Sequence, residues 1–298
     1  MRKKILSALL ALTLVFSMTA CGNKEEIGGN RVIMTVDELK TKMSDALATV
    51  NSADIDMDFT LGGTAEASGQ KMNLNIDLGG EAKFTVGNPA AYVKGQFSFK
   101  TSGDTKDNID MNYSAEAYVN TEKEDINIFY NINDKGWYTS TSNMEDIMTS
   151  LDDTLSSLDM NEMDMSIFSG FFSTNTENVD PDYLPIITNK TVEAEGRECY
   201  EMTTKLGKSY LAGSAEGQAM YDMFDEYEGS MKLYIDVDTN LPIKMVYSFS
   251  MSAVTQESGM EMTVRIPNTN IEILAEYNTV DSIVVPEDIV NKAVNLSK

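Results

Sequence analysis

The chain has 298 residues, with 47 acidic against 23 basic side chains, a formal charge of −24 and no histidine. So acidic a surface repels nucleic acid and anionic lipid headgroups, which argues against both as direct partners. The missing imidazole removes the commonest general base, the usual activator of a nucleophilic serine and the commonest zinc and copper ligand. No enzyme is expected, and no metal or cofactor is implied.

In chain order, Arg2, Lys3 and Lys4 precede an apolar run from Ile5 to Phe16, and small residues follow at Thr19 and Ala20. That is the layout of an export signal. As a helix the run would rise about 18 Å, against roughly 30 Å of bilayer hydrocarbon, too short to span it. Met18-Thr19-Ala20-Cys21-Gly22 resembles the lipobox of bacterial lipoproteins, with Met18 where leucine is usual. The resemblance implies a diacylglycerol on Cys21, which becomes the new N-terminus and holds the chain on the outer face of the cell membrane. The alternative is an ordinary cleaved signal that leaves Cys21 free. Residues 1–20 are then signal and 21–34 a lipidated tether, because Gly22 to Asn30 is polar and glycine-containing, with a reach of about 15 to 20 Å. With Cys21 lipidated only Cys199 remains, so no intrachain disulfide is available and the core must supply stability.

Thr35 followed by Glu38 is a capping box, and Val36, Leu39, Met43, Leu47 and Val50 recur at helical spacing. Ile55, Met57, Phe59 and Leu61 then alternate with polar residues, the period of a strand with one wet face. The same alternation runs through Met72 to Leu78, Phe84 and Val86, Phe97 and Phe99, Met111 to Ala115, and Ile126 to Ile132. Gly62-Gly63, Gly79-Gly80, Asn88-Pro89 and Asp134-Lys135-Gly136 stand between or after these runs as turn signals. The first half reads as an antiparallel meander. Ser142 with Glu145 predicts a second capped helix through Leu158, which Met165, Phe168, Phe171 and Phe172 extend after a break. Strands are expected around Val192 and Cys199, and a third helix carrying Met220, Met223, Phe224 and Tyr227. Three more alternating runs follow, Met231 to Val237, Ile243 to Met251 and Met260 to Ile266, with Ile271 to Tyr277 beyond Pro267 and a tight turn at Asp238 to Pro242.

About ten or eleven strands with segregated helices predict an α+β domain spanning residues 35–298, with one antiparallel sheet. The order of elements resembles the LolA and LppX superfamily of lipoprotein and lipid carriers, and more closely lipoproteins of that fold from low-GC Gram-positive bacteria. The residues that carry the resemblance are Gly136-Trp137-Tyr138, Tyr234-Ile235-Asp236 running into Asp238-Thr239-Asn240-Leu241-Pro242-Ile243-Lys244, and Ile283-Val284-Val285-Pro286-Glu287. It implies a strongly curved, half-open barrel with helices over its concave side.

Sites of other kinds fail on their own chemistry. Gly207-Lys208-Ser209 lacks the first glycine of a phosphate loop, where Met202 stands. Ser68-Gly69-Gln70-Lys71 has the serine-to-lysine spacing of penicillin-binding enzymes but reads as a polar turn. Asp54, Asp56 and Asp58, and likewise Asp236, Asp238 and Asn240, copy the start of a calcium loop, with Phe59 and Leu241 at the glycine place. Cys199, with no histidine to activate it, reads as a buried small apolar residue.

Twenty methionines are the compositional oddity; their flexible thioethers suit surfaces that accept ligands of variable shape, and equally a loosely packed core. About ten strands make a sheet face on the order of 1,000 Å², and three short helices cover roughly 600 to 700 Å² of it. The sheet must therefore curl, leave a cavity or take a ligand; a hydrophobic ligand, a lipid or acyl chain, would fill the difference. Its expected lining is Met57, Phe59, Met72, Leu74, Ile76, Met111, Tyr113, Ile128, Met245, Phe249, Met262 and Ile273, with Met148, Leu151, Phe168 and Phe171 from the helices. The second expectation is an envelope protein with a filled core that binds another protein or a cell-wall component.

Overall fold

The computed structural model describes residues 32–67, 69–103, 108–122, 125–143, 184–207, 225–257 and 260–295. The first element is helix α1 (Val36–Leu47), and it starts at the capping box. The Glu38 N–H donates to Thr35 Oγ1 at 3.2 Å, and the Thr35 N–H donates to the Glu38 carboxylate at 2.8 Å. Two otherwise orphaned donors are thereby satisfied, and the carboxyl of Glu38 is held below its ordinary range by the backbone bond to Thr35.

Six strands follow as a meander: β1 (Ser52–Ala67), β2 (Gln70–Thr85), β3 (Ala90–Gly103), β4 (Asp110–Glu122), β5 (Asp125–Ile132) and β6 (Trp137–Asn143). After the short β7 (Ile186–Ile187) and β8 (Val192–Ala194), a second set comprises β9 (Arg197–Gly207), β10 (Glu226–Asp236), β11 (Pro242–Glu257) and β12 (Met260–Tyr277). Helix α2 (Glu287–Lys292) and β13 (Val294–Asn295) complete the described chain. All thirteen described strands form one large curved sheet, in the order β13-β6-β5-β4-β3-β2-β1-β12-β11-β10-β9-β7, with β8 beside β9. Every pairing is antiparallel except β13 with β6. The two meanders are joined along β1 and β12.

Several expectations are corrected. Gly62-Gly63 and Gly79-Gly80 are not turns but lie inside β1 and β2, so the runs at Met72 to Leu78 and at Phe84 belong to one strand. Tyr227 stands on β10, not on a helix; Met220, Met223 and Phe224 lie outside the described residues. Ser142 is the penultimate residue of β6, not a helix cap, and the helical region expected beyond it also lies outside them. Pro267 does not separate two strands: β12 runs through it. The turns at Asn88-Pro89 and at Asp238 to Pro242 are as expected.

The glycines sit where strands crowd. A β-carbon at Gly80 would stand 2.7 Å from the Lys94 carbonyl oxygen, and one at Gly63 would stand 3.0 Å from that of Arg265. At Gly62 the nearest atom would be Asn75 Oδ1 at 4.0 Å. Close backbone approach, not turn formation, explains Gly63 and Gly80.

The main buried cluster joins Val36, Leu39, Met43 and Leu47 of α1 to Met202 and Leu206 of β9 and to Tyr227, Met231, Leu233 and Ile235 of β10. A smaller cluster unites Val285 and Ile289 of the α2 region with Phe129 of β5, flanked by Tyr118 and Trp137. Even residues of β9 face α1, as do odd residues of β10. Phe129 belongs to the opposite face, because its β5 neighbours Ile128 and Tyr130 point the other way. The two helices therefore cover opposite faces, and the expectation that helices share one concave side is not met by α2.

Gly80→Ala should lower stability by about 2 kcal/mol, because the β2 and β3 backbones must part. Gly62→Ala should raise it by about 0.5 kcal/mol, by restricting the unfolded chain. Urea unfolding of the two variants checks this, and equal effects at both positions would remove close approach as the cause.

Candidate binding face

Strand register decides which side chains share a face. Met57 pairs with Gly80 and with Ile273, Phe59 with Leu78 and Ile271, and Ile55 with Ala82 and Ala275. Leu78 pairs with Phe97, Ile76 with Phe99, Phe97 with Tyr113 and Phe99 with Met111. Val119 pairs with Ile128. On the other side Ile273 pairs with Met245, Ile271 with Tyr247, Met245 with Leu233 and Phe249 with Gly229. Directly paired residues point to the same side of a sheet, so these positions form one apolar face from β5 to β10.

That continuity depends on an irregularity. Between Thr60/Asn270 and Thr64/Arg265, β12 uses one residue more than β1; between Phe249/Thr269 and Met251/Ile266 it uses one more than β11. The bulge on β12 falls at Pro267 and its neighbours, where an N–H for the ladder is missing. The sequence carries its apolar residues at even positions before the bulge (Met262, Val264, Ile266) and at odd positions after it (Ile271, Ile273, Ala275, Tyr277). One extra residue brings both sets to one face.

The twelve expected sheet residues are therefore gathered on a single face. Met57, Phe59, Met72, Leu74, Ile76, Ile128, Met245, Phe249 and Ile273 are half-buried, and Met111, Tyr113 and Met262 are exposed. The four expected helical residues, Met148, Leu151, Phe168 and Phe171, lie outside the described residues, as does Cys21. Register adds Leu78, Phe97, Tyr130 and Tyr247 to the face, all legible from the same alternation.

The face is unevenly covered. Among the described residues the buried cluster beneath α1 takes members from β9 and β10 and none from β1–β6. Under α1 the packing includes a ring stack of Tyr247 on Phe249, with centroids 5.1 Å apart. The hydroxyls of Tyr227 and Tyr247 are hydrogen-bonded to each other, and burial raises both phenol pKa values. The phenol of Tyr277, likewise pushed up by burial, donates to the Pro242 carbonyl at 2.8 Å. Over β3–β5 apolar side chains reach solvent: Tyr113 is 50% exposed, and Val93, Ile132 and Met111 are exposed as well.

Away from the cluster at Phe129, the opposite face is polar across β1–β4 and holds a concavity of about 730 Å³ whose lining includes Asp58, Asp77, Gln96, Ser98, Asn112 and Ser114. Asp54, Asp56 and Asp58 stand on this wet side of β1, and burial with neighbouring Asp54 and Glu81 raises the Asp56 pKa. Asp236 Oδ1 accepts from the backbone N–H groups of Asp238 and Thr239 and from the Thr239 hydroxyl. Its other oxygen faces Arg197 at 3.6 Å, so the carboxylate is committed to the turn. Cys199 is fully buried, its thiol pKa raised by burial and its Sγ donating to the Arg197 carbonyl at 3.6 Å. It is a packing residue.

One residue of the covered region is not among those expected from the sequence. Lys40, four residues after Val36 and three before Met43, shares the buried side of α1 and is only 7% exposed. Its ammonium nitrogen is buried and donates no hydrogen bond among the described residues. Asp37 stands 3.9 Å away, beyond hydrogen-bonding reach. Burial pushes the Lys40 amine down to about 8, against a smaller opposing pull from Asp37.

No family model matches the chain, and no curated protein is similar to it. Among solved structures it is similar to LprF from Mycobacterium bovis, at 9% identity and a TM-score of 0.33, over 84% of this chain and 95% of that one. A beta-barrel-like protein of domain of unknown function DUF1849 from Brucella abortus is 10% identical, with a TM-score of 0.21, over 74% of this chain and 98% of that one. A DUF1329 family protein from Desulfovibrio piger is 10% identical, with a TM-score of 0.21, over 82% and 92% respectively. Likenesses of this size assign no function. Among the described residues no helix is long and apolar enough to cross a membrane.

Because the folded pKa of Lys40 lies below the ordinary 10.5, the unfolded chain binds more protons between about pH 8 and 10.5, and stability rises with pH across that window. Below pH 8 the penalty of the buried charge is present in full. Lys40→Met should accordingly stabilise the protein at pH 7 by on the order of 1 to 3 kcal/mol, and its advantage should shrink between pH 8 and 10.5. Urea unfolding of both proteins at several pH values checks this; a constant difference would exclude titration of Lys40 as its source.

Proposed function

We propose that this chain is an extracytoplasmic lipoprotein, tethered to the outer face of the cell membrane through Cys21, that binds a hydrophobic ligand on the apolar face of its sheet. The observation that carries the reading is the register, which lines up Met, Phe, Ile, Leu and Tyr side chains across β1–β5 and β10–β12 on one side. Apolar surface of that extent is unfavourable in water at about 25 cal/mol per Å², and large exposed apolar patches mark interaction sites. Methionine and tyrosine suit the role, the first by adapting in shape and the second by offering an apolar body with a polar tip.

The resemblance of the sequence to the LolA and LppX carriers supports a lipid or acyl chain as the ligand class. The export signal and lipobox-like stretch support the address, and the acidic surface leaves the lipid as the means of holding the membrane. We read the protein as a binder, not an enzyme: Cys199 is inert, and Asp236 serves a turn. Exposed Met111, Tyr113 and Ile132 favour one alternative, in which the same face docks an envelope protein.

Native mass spectrometry with lipid extraction, on protein lacking residues 1–21, tests the reading. The expected result is a bound mass that leaves on denaturation and is recovered as lipid. A clean ligand-free mass, with no uptake of added fatty acid or phospholipid, would favour the envelope-protein alternative. Tyr113→Asp should weaken lipid uptake at least tenfold, whereas Asn112→Asp, which adds the same charge on the opposite face, should change it less than twofold. Equal loss in both variants would remove the apolar face as the site.

A further inference from the structure

We infer that Lys40 is the headgroup anchor of the binding face and that its ligand is an amphiphile with a carboxylate, a fatty acid or an acyl chain that ends in one. The inference rests on the proposed binding of a hydrophobic ligand and adds the chemistry of its polar end.

A lysine on the buried side of a helix normally snorkels, laying its methylenes on the apolar surface and placing its ammonium in water. Lys40 does not: the nitrogen itself is buried, and none of its three donors is satisfied among the described residues. A buried, unsatisfied charge costs several kcal/mol unless an opposite charge or hydrogen-bond acceptor meets it. Asp37 does not fill that place, since at 3.9 Å it is too distant for a hydrogen bond and its side chain is half exposed. Water would satisfy the amine more cheaply if the side chain turned outward. A site that keeps an ammonium inside is therefore ready for an anionic group that arrives from elsewhere.

The surroundings determine what else the anion carries. Lys40 lies on the side of α1 that packs against Met202, Leu233 and their neighbours, and those residues belong to the apolar face that runs on through β11 and β12 to β1 and β2. Four strand intervals separate β10 from β2, about 19 Å, which accommodates a long hydrocarbon tail. A small hydrophilic anion would leave that surface bare, and a neutral lipid would leave the ammonium without a charged hydrogen-bond acceptor. A carboxylate with an apolar tail satisfies both. A carboxylate also matches a single ammonium in charge, and the charge-assisted bond it accepts is roughly twice as strong as a neutral one.

The test compares palmitate with 1-hexadecanol and methyl palmitate, ligands of one chain length that differ at the head, on protein lacking residues 1–21. Fluorescent-probe displacement should show palmitate binding at least tenfold tighter than either. In Lys40→Met that preference should fall below twofold, with the alcohol still bound, and Lys40→Gln serves as a second variant should Met alter packing. Lys40→Arg should keep a preference of several-fold, which a purely structural role would not require. Equal binding of palmitate and hexadecanol by the unaltered protein would overturn the anchor while leaving hydrophobic-ligand binding intact. An unchanged preference in both Lys40→Met and Lys40→Gln would overturn the role of Lys40, and binding of none of the three ligands would overturn the anchor together with the proposed function.

Discussion

The pairing of β1 with β12 is the constraint on which the rest of the molecule depends. It joins two meanders distant in sequence into one sheet, and it does so over most of two long strands. Side chains alternate with strict period two, so a slip of one residue would send an entire apolar set to the wet side. The sequence of β12 changes phase across Pro267, and the bulge there restores it. Without that extra residue, Met262, Val264 and Ile266 would point away from Ile271 and Ile273, and the apolar face would be cut in two. Gly63 shows how closely the bulge is fitted, since no side chain has room beside Arg265 and Ile266.

Local chemistry was the legible part of the fold. Thr35 and Glu38 announce α1 because a capping box needs only four consecutive residues. Alternation announces the strands because facing is decided within each strand, which is why twelve scattered positions could be assigned to one side before their register was known. Glycine was misread because it serves two ends: Gly62-Gly63 and Gly79-Gly80 have the composition of turns, but at Gly63 and Gly80 the missing β-carbon allows neighbouring backbones to approach. That requirement belongs to a partner strand and is invisible locally. The helical expectation for Tyr227 fails for a similar reason, as a short apolar run fits either period. Lys40 was visible on the helical stripe between Val36 and Met43, but charged residues at the edge of a stripe usually reach water, and only burial distinguishes the exception.

The two helices divide the sheet between them. α1 lies on the apolar face at β9 and β10, while the α2 region packs on the other face at Phe129, beside Tyr118 and Trp137. The ring contacts Tyr92–Tyr118 and Tyr118–Trp137, at 4.8 and 5.8 Å, extend that second core across β3–β6. A chain without an internal disulfide thus buries apolar surface on opposite faces at opposite ends of one sheet. Each described helix covers one end of the sheet on its own face, and among the described residues no helix packs over the apolar side of β1–β5.

The proposed anchor would give the covered end a role beyond packing. If stability alone shaped α1, the position of Lys40 would favour leucine or methionine, which would complete the stripe at no electrostatic cost. An ammonium there weakens the core at neutral pH, and Asp37, 3.9 Å away on the same helix, relieves it only in part. Sites that sacrifice stability are commonly those that await a ligand, because the group that is unsatisfied in the empty protein becomes satisfied in the complex. In the proposed complex the free energy withheld from folding would appear as binding, and an apolar face that continues away from the amine would set the direction in which the tail lies.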